Sequence, residues 1–232
     1  MPVVRGKPFG HTTTISLTGA GKRVNVTENL FSADERLEHI HMQDAEVYYL
    51  RHLTLAEAPH IVMAHLIDEV PWRAENIVVW GRTYPQPPLI AWYGDTGKNY
   101  TYSGINLSPV PWTQALLDIK SRVEAVARTD FNSVLLNYYR DHRDSMGLHS
   151  DDEPELGERP ILASLSLGEE RTFILKHKRK RKKASKPIRL KLASGSLLLM
   201  KGDTQRYWKH GIDKETRPCG PRVNLTFRRI LK

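Results

Sequence analysis

One cysteine, Cys219, stands in the 232 residues. A single thiol closes no internal disulfide and furnishes no sulfur-rich metal site, so the chain suits a reducing compartment. No stretch approaches the roughly 18 apolar residues of a membrane span, and the segment from Met1 to Thr14 has no apolar core of signal-peptide length. These absences lead to the expectation of a chain without a membrane partner, cytoplasmic or, in a eukaryote, nuclear. Internal repeats are missing too, and 40% hydrophobic residues over this length suffice for one well-buried domain, with monomer as the default. Acidic residues are in deficit: 26 Asp+Glu against 35 Lys+Arg leave a formal net charge of +9. Basic surfaces steer toward phosphate backbones, which makes nucleic acid the first candidate partner.

Residues 1 to 30 are polar and Gly/Thr-rich, and the alternating run Arg23 to Val26 has the pattern of an edge strand. Ser32-Ala-Asp-Glu35 is a capping-box pattern, with Leu30 or Phe31 placed to staple a helix through Leu37 and Ile40. A second helix is expected over about Leu55 to Glu69, with Pro59 obscuring its start. A third opens at Pro111 and Thr113, and Leu116, Leu117, Val123 and Val126 repeat at helical spacing up to Ala127. From Phe131 onward the pattern turns to short β-type segments: Val134 to Tyr139, Ile161 to Leu167, Thr172 to His177, Ile188 to Leu192, Ser196 to Met200 and Arg222 to Arg228. Turns at that spacing mark a sandwich or jelly roll, with the helices packed on one of its sheets. The expected organisation is one structural domain of α+β class, mainly β. It comprises an N-terminal extension with supporting helices (residues 1–76), an intermediate segment (77–130) and a β-core (131–232).

His149-Ser150-Asp151, followed at a distance by His210, can place two imidazoles and one carboxylate on one face of a metal, the ligand set of non-haem Fe(II) oxygenases. In an H-x-D on a strand, the side chains at i and i+2 share a face, and His210 must arrive from another strand. A lone H-x-D is common by chance; its combination with the C-terminal strand carries the signal. There Arg222, Asn224 and Arg228 share one face, while Val223, Leu225 and Phe227 supply an apolar face for the core. Arginines on a strand are ordinarily solvated or paired at the surface. Here the polar face needs a partner, and a planar dicarboxylate suits guanidinium groups, which bind carboxylates bidentately.

Several stretches then carry a family resemblance: Asn137-Tyr-Tyr139, His149-Ser-Asp151-Asp-Glu-Pro, Pro160 through Gly168, Arg171-Thr-Phe173, Thr204-Gln to Trp208-x-His210, and Arg222-Val-Asn-Leu-Thr-Phe-Arg228. In these the chain resembles the AlkB-type Fe(II)/2-oxoglutarate dioxygenases, oxidative demethylases of alkylated bases. It is closer to the members like the two mammalian DNA-repair homologues than to the founding bacterial enzyme. Trp92-Tyr-Gly-Asp to Tyr100-Thr-Tyr102-Ser-Gly resembles the same family's base-recognition lid, so that residues 77–130 become a nucleotide-recognition lid and helix.

The resemblance implies a double-stranded β-helix core and assigns roles residue by residue. His149, Asp151 and His210 would hold Fe(II). Asn137, Tyr139, Asn224, Arg222 and Arg228 would hold 2-oxoglutarate, with Arg222 as partner of its distal carboxylate. The implied reaction consumes dioxygen and releases formaldehyde, succinate and CO2 from N1-methyladenine or N3-methylcytosine in DNA, a direct-reversal repair.

A base that undergoes such chemistry must leave the stack and enter a pocket. Tyr100 and Tyr102 match the family's stacking positions, although both also read as ordinary strand aromatics. Asp152 and Glu153 adjoin the iron ligands; they read either as a solvated acidic turn or as acceptors for the exocyclic amine of a cationic base. Trp80 closes the run Ile77-Val-Val-Trp80, which reads as a plain strand or as a hairpin whose aromatic fills the space of a flipped base. Lys180, Arg181, Lys182 and Lys183 belong to a cationic run between two strands, expected to bind phosphates without regard to sequence. The same chemistry on RNA is one alternative, and a protein- or lipid-directed 2-oxoglutarate dioxygenase another.

Overall fold

The computed structural model of the chain describes residues 36–79, 82–85, 87–102, 105–179 and 186–231. Contacts divide the chain into Met1–Leu30 and Phe31–Lys232, and the described residues belong to the second unit. The expected strand at Arg23 to Val26, the capping box Ser32 to Glu35, Trp80 and Lys180 to Lys183 lie outside the described residues.

Two antiparallel sheets face each other. The larger has seven strands, in the order β1 (Glu38–Ile40), β2 (Glu46–Leu50), β13 (Leu197–Lys201), β10 (Leu162–Gly168), β15 (Arg222–Arg228), β8 (Ser133–Tyr139) and β5 (Leu89–Gly94). The smaller is β12 (Ile188–Leu192), β11 (Arg171–His177), β14 (Trp208–Ile212) and β9 (Met146–His149). Two hairpins, β3 (Asn76–Val79) with β4 (Arg82–Pro85) and β6 (Tyr100–Tyr102) with β7 (Ile105–Leu107), complete the strands of the described residues. This is the jelly-roll core expected from the sequence, with the large sheet drawing strands from all three expected segments.

The helices follow from local chemistry. In α1 (Pro59–Glu69), Pro59 stands within the first turn, where its missing N–H costs nothing, and Val62 and Leu66 are buried. In α2 (Gln114–Ala127), the Thr113 hydroxyl accepts from the Leu116 N–H at 3.3 Å, and Leu116, Ile119, Val123 and Ala127 form the buried stripe. Arg128 ends α2 in the left-handed conformation (φ 55°), and the Lys201 ammonium donates to the terminal Ala127 carbonyl at 2.8 Å.

One expectation fails. Leu37 to Ile40 do not continue a helix; Glu38–Ile40 is strand β1, paired in register with Val47 to Tyr49. The edge of the large sheet offers this segment a ladder of hydrogen bonds, and tertiary pairing overrides a local helix signal. Trp92, where the stretch resembling a lid begins, sits in β5, buried in the outermost strand of the large sheet.

Strand parity divides the large sheet into two faces. Ala163, Leu165, Leu167, Leu197, Leu199, Val223, Leu225 and Phe227 join one apolar core with the buried residues of α1 and α2. The opposite face looks toward the small sheet and carries a polar lane: Ser164, Ser166, Asn137, Arg222, Asn224, Thr226 and Arg228, all buried. Apolar clusters flank the lane on both sides, one around Phe173, Leu175 and Trp208, the other around Trp92, Tyr100 and Leu135. Phe227 has no exposed surface and packs near Phe131 with ring centroids 6.0 Å apart. Phe227→Ala is expected to cost about 3–5 kcal/mol of unfolding free energy, read by urea denaturation.

Candidate metal and cosubstrate site

The three expected metal ligands meet between the sheets. His149 ends β9, His210 lies in β14 directly opposite it, and Asp151 follows two residues after His149. One ligand atom from each lies within 4.8 Å of the other two. A bulge helps: His210 pairs with His149 but Ile212 pairs with Met146, so β9 carries one extra residue. Gly147 and Leu148 turn out to solvent while His149 turns inward.

The donor set is preorganised for a cation. The His149 Nδ1 lies 2.9 Å from the Gly147 carbonyl, which leaves its Nε2 directed at Asp151 Oδ1 at 3.3 Å. His210 Nε2 lies 3.9 Å from the same oxygen. Asp151 Oδ2 accepts from Arg228 Nε at 3.1 Å and from Nη2 at 2.6 Å, whereas the buried Oδ1 accepts no hydrogen bond. One carboxylate oxygen is thus held and the other reserved. Phe173 stacks on the His210 ring, and the side-chain carbonyl of Gln205 accepts from the Asp151 N–H at 3.0 Å. Two imidazole nitrogens converging on a bare carboxylate oxygen fit a divalent metal.

The titration behaviour follows from burial and charge. Burial pulls His210 down to about 3, aided by His149. Burial works against the Asp151 carboxylate, but Arg228 and the two histidines outweigh it and hold Asp151 far below the carboxylate range. Burial lowers His149 while the nearby Asp151 carboxylate raises it, and the net direction is upward.

All five expected cosubstrate residues line the same cavity, and two of them, Arg222 and Asn137, carry polar atoms without a hydrogen-bond partner. Arg222 is fully buried, and its Nη2 donates to Ser166 Oγ at 3.0 Å while Nε and Nη1 have no hydrogen-bond partner. Asn137 Oδ1 is likewise buried without one. Tyr139 pairs with Arg222 across β8 and β15, and the guanidinium lies over its ring, 5.1 Å from the centroid. Asn224 is already engaged: its amide donates to Ser164 Oγ and to the Leu165 carbonyl, each at 2.8 Å, and its Oδ1 accepts from Thr226. Arg228, the fifth, is spent on Asp151 and on the Thr226 carbonyl.

The expected substrate residues divide. Glu153 is half-buried, and its Oε2 has no hydrogen-bond partner; burial and the Asp151 charge raise its pKa. Asp152 points outward and pairs with Lys178 at 3.0 Å. Tyr100 is fully buried, stacked on Trp92 with centroids 4.8 Å apart and with the Arg228 guanidinium over its ring at 5.5 Å. The backbone of Tyr102 belongs to β6, and its side chain lies outside the described ones. Gln205 braces Asp151 through the latter's main-chain N–H although the residue pattern alone assigns it nothing; it stands inside a stretch that carried the family resemblance.

The comparisons agree with this geometry. A family model described as the 2OG-Fe(II) oxygenase superfamily matches residues 46–228. The mouse protein named alpha-ketoglutarate-dependent dioxygenase alkB homolog 3 is 43% identical over 175 residues, 73% of this chain and 60% of that protein. The human protein named DNA oxidative demethylase ALKBH2 is 39% identical over 207 residues, 86% of this chain and 79% of that protein. The chain therefore spans about 60% of the length of the alkB homolog 3 relative. The solved structure of OsALKBH1 superposes with a TM-score of 0.55 at 19% identity, covering 79% of this chain and 97% of that one, and supports the same fold.

Two outcomes are expected. The metal-free protein should lose stability as the pH falls from about 6.5 toward about 3, because His210 stays neutral when folded and takes a proton when unfolded. Asp151 adds to the loss at lower pH, whereas the raised His149 acts in the opposite sense, its contribution present below pH 6.5 and lost as pH rises through its folded value. Urea unfolding at a series of pH values reads the slope. Gly211 permits the close approach of β14 to β9, since a Cβ there would lie 2.6 Å from the Met146 carbonyl oxygen. Gly211→Ala is expected to weaken Mn(II) binding by about tenfold or more by pushing the two histidine strands apart, as measured by calorimetry.

Proposed function

The chain belongs to the AlkB-type branch of the 2OG-Fe(II) oxygenase superfamily, and from that premise we propose that it removes alkyl groups from DNA bases by oxidative demethylation. The observation that carries the reading is the pairing, in one buried cavity, of a bare Asp151 oxygen facing two imidazoles with an Arg222 guanidinium whose Nε and Nη1 are unengaged. A metal and an anionic cosubstrate would satisfy both sets of groups at once.

His149, Asp151 and His210 would hold Fe(II), and Arg222, Asn137 and Tyr139 would hold 2-oxoglutarate. When bound, iron and 2-oxoglutarate supply the oxidising power drawn from dioxygen, with succinate and CO2 as by-products and formaldehyde released from the base. Arg222 would meet the far carboxylate through an unengaged N–H, and the bond from its Nη2 to Ser166 limits its drift. Arg228 keeps Asp151 ionised and aimed, and Asn224 keeps the wall rigid through Ser164 and Thr226. Water is excluded by Phe173, Met200, Ile212 and Leu135, which line the same cavity.

For the substrate, Glu153 supplies a buried oxygen that can accept a hydrogen bond from the exocyclic amine of N1-methyladenine or N3-methylcytosine, and its charge favours a cationic base. The name of the human relative specifies DNA, and the formal charge of +9 suits a polyanion. Trp80, Tyr102 in β6 and the cations Lys180 to Lys183 remain the candidate contacts of the flanking strand. Residues 77–130 are then the part that grips the nucleotide.

The test is release of formaldehyde and succinate from an N1-methyladenine DNA oligonucleotide with Fe(II), 2-oxoglutarate and ascorbate. The wild type is expected to yield both products, and Asp151→Ala to lose at least about a hundredfold in rate. Turnover confined to a matched RNA oligonucleotide would move the substrate to RNA, and succinate without formaldehyde would refute a methylated base as the substrate.

A further inference from the structure

Arg171, the first residue of β11, has no role in the reading above, yet its side chain is 0% exposed. A guanidinium is rarely sealed from water unless its donors are met. Here main-chain oxygens meet them: Nη2 donates to the carbonyls of Asp144 at 2.9 Å and Asp213 at 2.8 Å, and Nη1 to that of Asp141 at 3.3 Å. Asp141 and Asp144 lie between β8, which carries Asn137 and Tyr139, and β9, which carries His149. Asp213 directly follows β14, which carries His210. The Glu215 N–H donates to the His142 carbonyl at 2.9 Å and closes the same junction. One side chain therefore ties together the ends of the strands that form the site.

Carbonyl oxygens meet Nη1 and Nη2 without neutralising the charge, and Nε has no hydrogen-bond partner. The carboxylates of Asp141 and Asp144 are taken by Arg143 and Arg140. Among the described residues, Glu215 is the ion-pair partner of Arg171, at 3.6 Å from Nε and one-third exposed. The guanidinium groups of Arg171 and Arg222 both lie over the Tyr139 ring, 5.8 Å and 5.1 Å from its centroid. Burial, with Arg171 adding to it, pulls the Arg222 pKa down to about 10. Two cations around one buried ring repel each other until an anion joins them.

We propose that Arg171 is a positioning residue for 2-oxoglutarate, bracing Tyr139 and the strand ends around Arg222 and adding a second positive charge felt by the far carboxylate. The proposal rests on the assignment of that carboxylate to Arg222.

Calorimetric titration of 2-oxoglutarate into the Mn(II)-loaded full chain tests it. Arg171→Lys keeps a charge but cannot span three carbonyls. It is expected to weaken 2-oxoglutarate binding about tenfold and to raise its KM with kcat little changed, while Mn(II) affinity moves less than about twofold. Glu215→Gln removes only the counter-charge and is expected to tighten 2-oxoglutarate binding by about twofold, a direction that a purely structural role would not produce. If Arg171→Lys fails to fold, Glu215→Gln decides: unchanged or weaker binding overturns the proposal. Equal losses of Mn(II) and 2-oxoglutarate affinity in Arg171→Lys would overturn it too, as would unchanged 2-oxoglutarate affinity. A wild type that binds Mn(II) but no 2-oxoglutarate would overturn the underlying cosubstrate assignment and this proposal with it.

Discussion

The ion pair between Arg228 and Asp151 is the interaction on which the site depends. Its side chains are 3% and 1% exposed, and the two groups meet at 2.6 Å. Sealing two charges from water is expensive, and only tight, fully bonded geometry offsets it. That geometry is present: Arg228 spends Nε and Nη2 on one carboxylate oxygen and Nη1 on the Thr226 carbonyl. Arg228 ends a central strand of the large sheet, and Asp151 follows the edge strand of the small one. The pair fixes the spacing of the sheets at one point. It also divides the labour of the carboxylate, with one oxygen anchoring and the other left for a metal.

Around that pair, the alternation of β15 separates stability from chemistry. Val223, Leu225 and Phe227 belong to the core under α1 and α2, while Arg222, Asn224, Thr226 and Arg228 face the interior between the sheets. A buried polar lane is tolerable because most of its members satisfy one another, as Asn224 does with Ser164 and Thr226. The exceptions cluster. Arg222 Nε and Nη1, Asn137 Oδ1 and Asp151 Oδ1 are unpartnered, and their residues line one cavity. Unmet polar atoms gathered in one place mark where ligands complete the structure.

Much of this was legible in the sequence because it rests on periodicity. The C-terminal end of α2 at Ala127, the two faces of β15 and the strands Ile188–Leu192 and Arg222–Arg228 appear where the pattern put them, whereas of the α2 stripe Leu116 and Val123 are buried and Leu117 is exposed. The three candidate metal ligands were readable from residue type and order, and the fold brings them together. What escaped depended on partners distant in the chain. Leu37 to Ile40 carry a helix pattern, but the open edge of β2 recruits them as a strand. The bulge in β9, which turns His149 inward beside two outward residues, leaves no mark on a short Met-Gly-Leu-His run. A buried arginine such as Arg171 reads like any surface cation until the three carbonyls around it are known. Tyr100 reads as a stacking platform, yet its ring is already covered by Trp92 and Arg228.

The register that sets His149 opposite His210, and the reach of Arg228 back to Asp151, join residues far apart in the chain. Such contacts form late, since the entropy of closing long loops is lost before any contact compensates for it, and β topologies of this kind fold slowly. A nascent chain that lacks β14 and β15 has His149 and Asp151 but not His210, and so an incomplete coordination site. Metal capture must therefore follow folding rather than guide it, and the bound ion then acts as a latch that slows unfolding of a structure already complete.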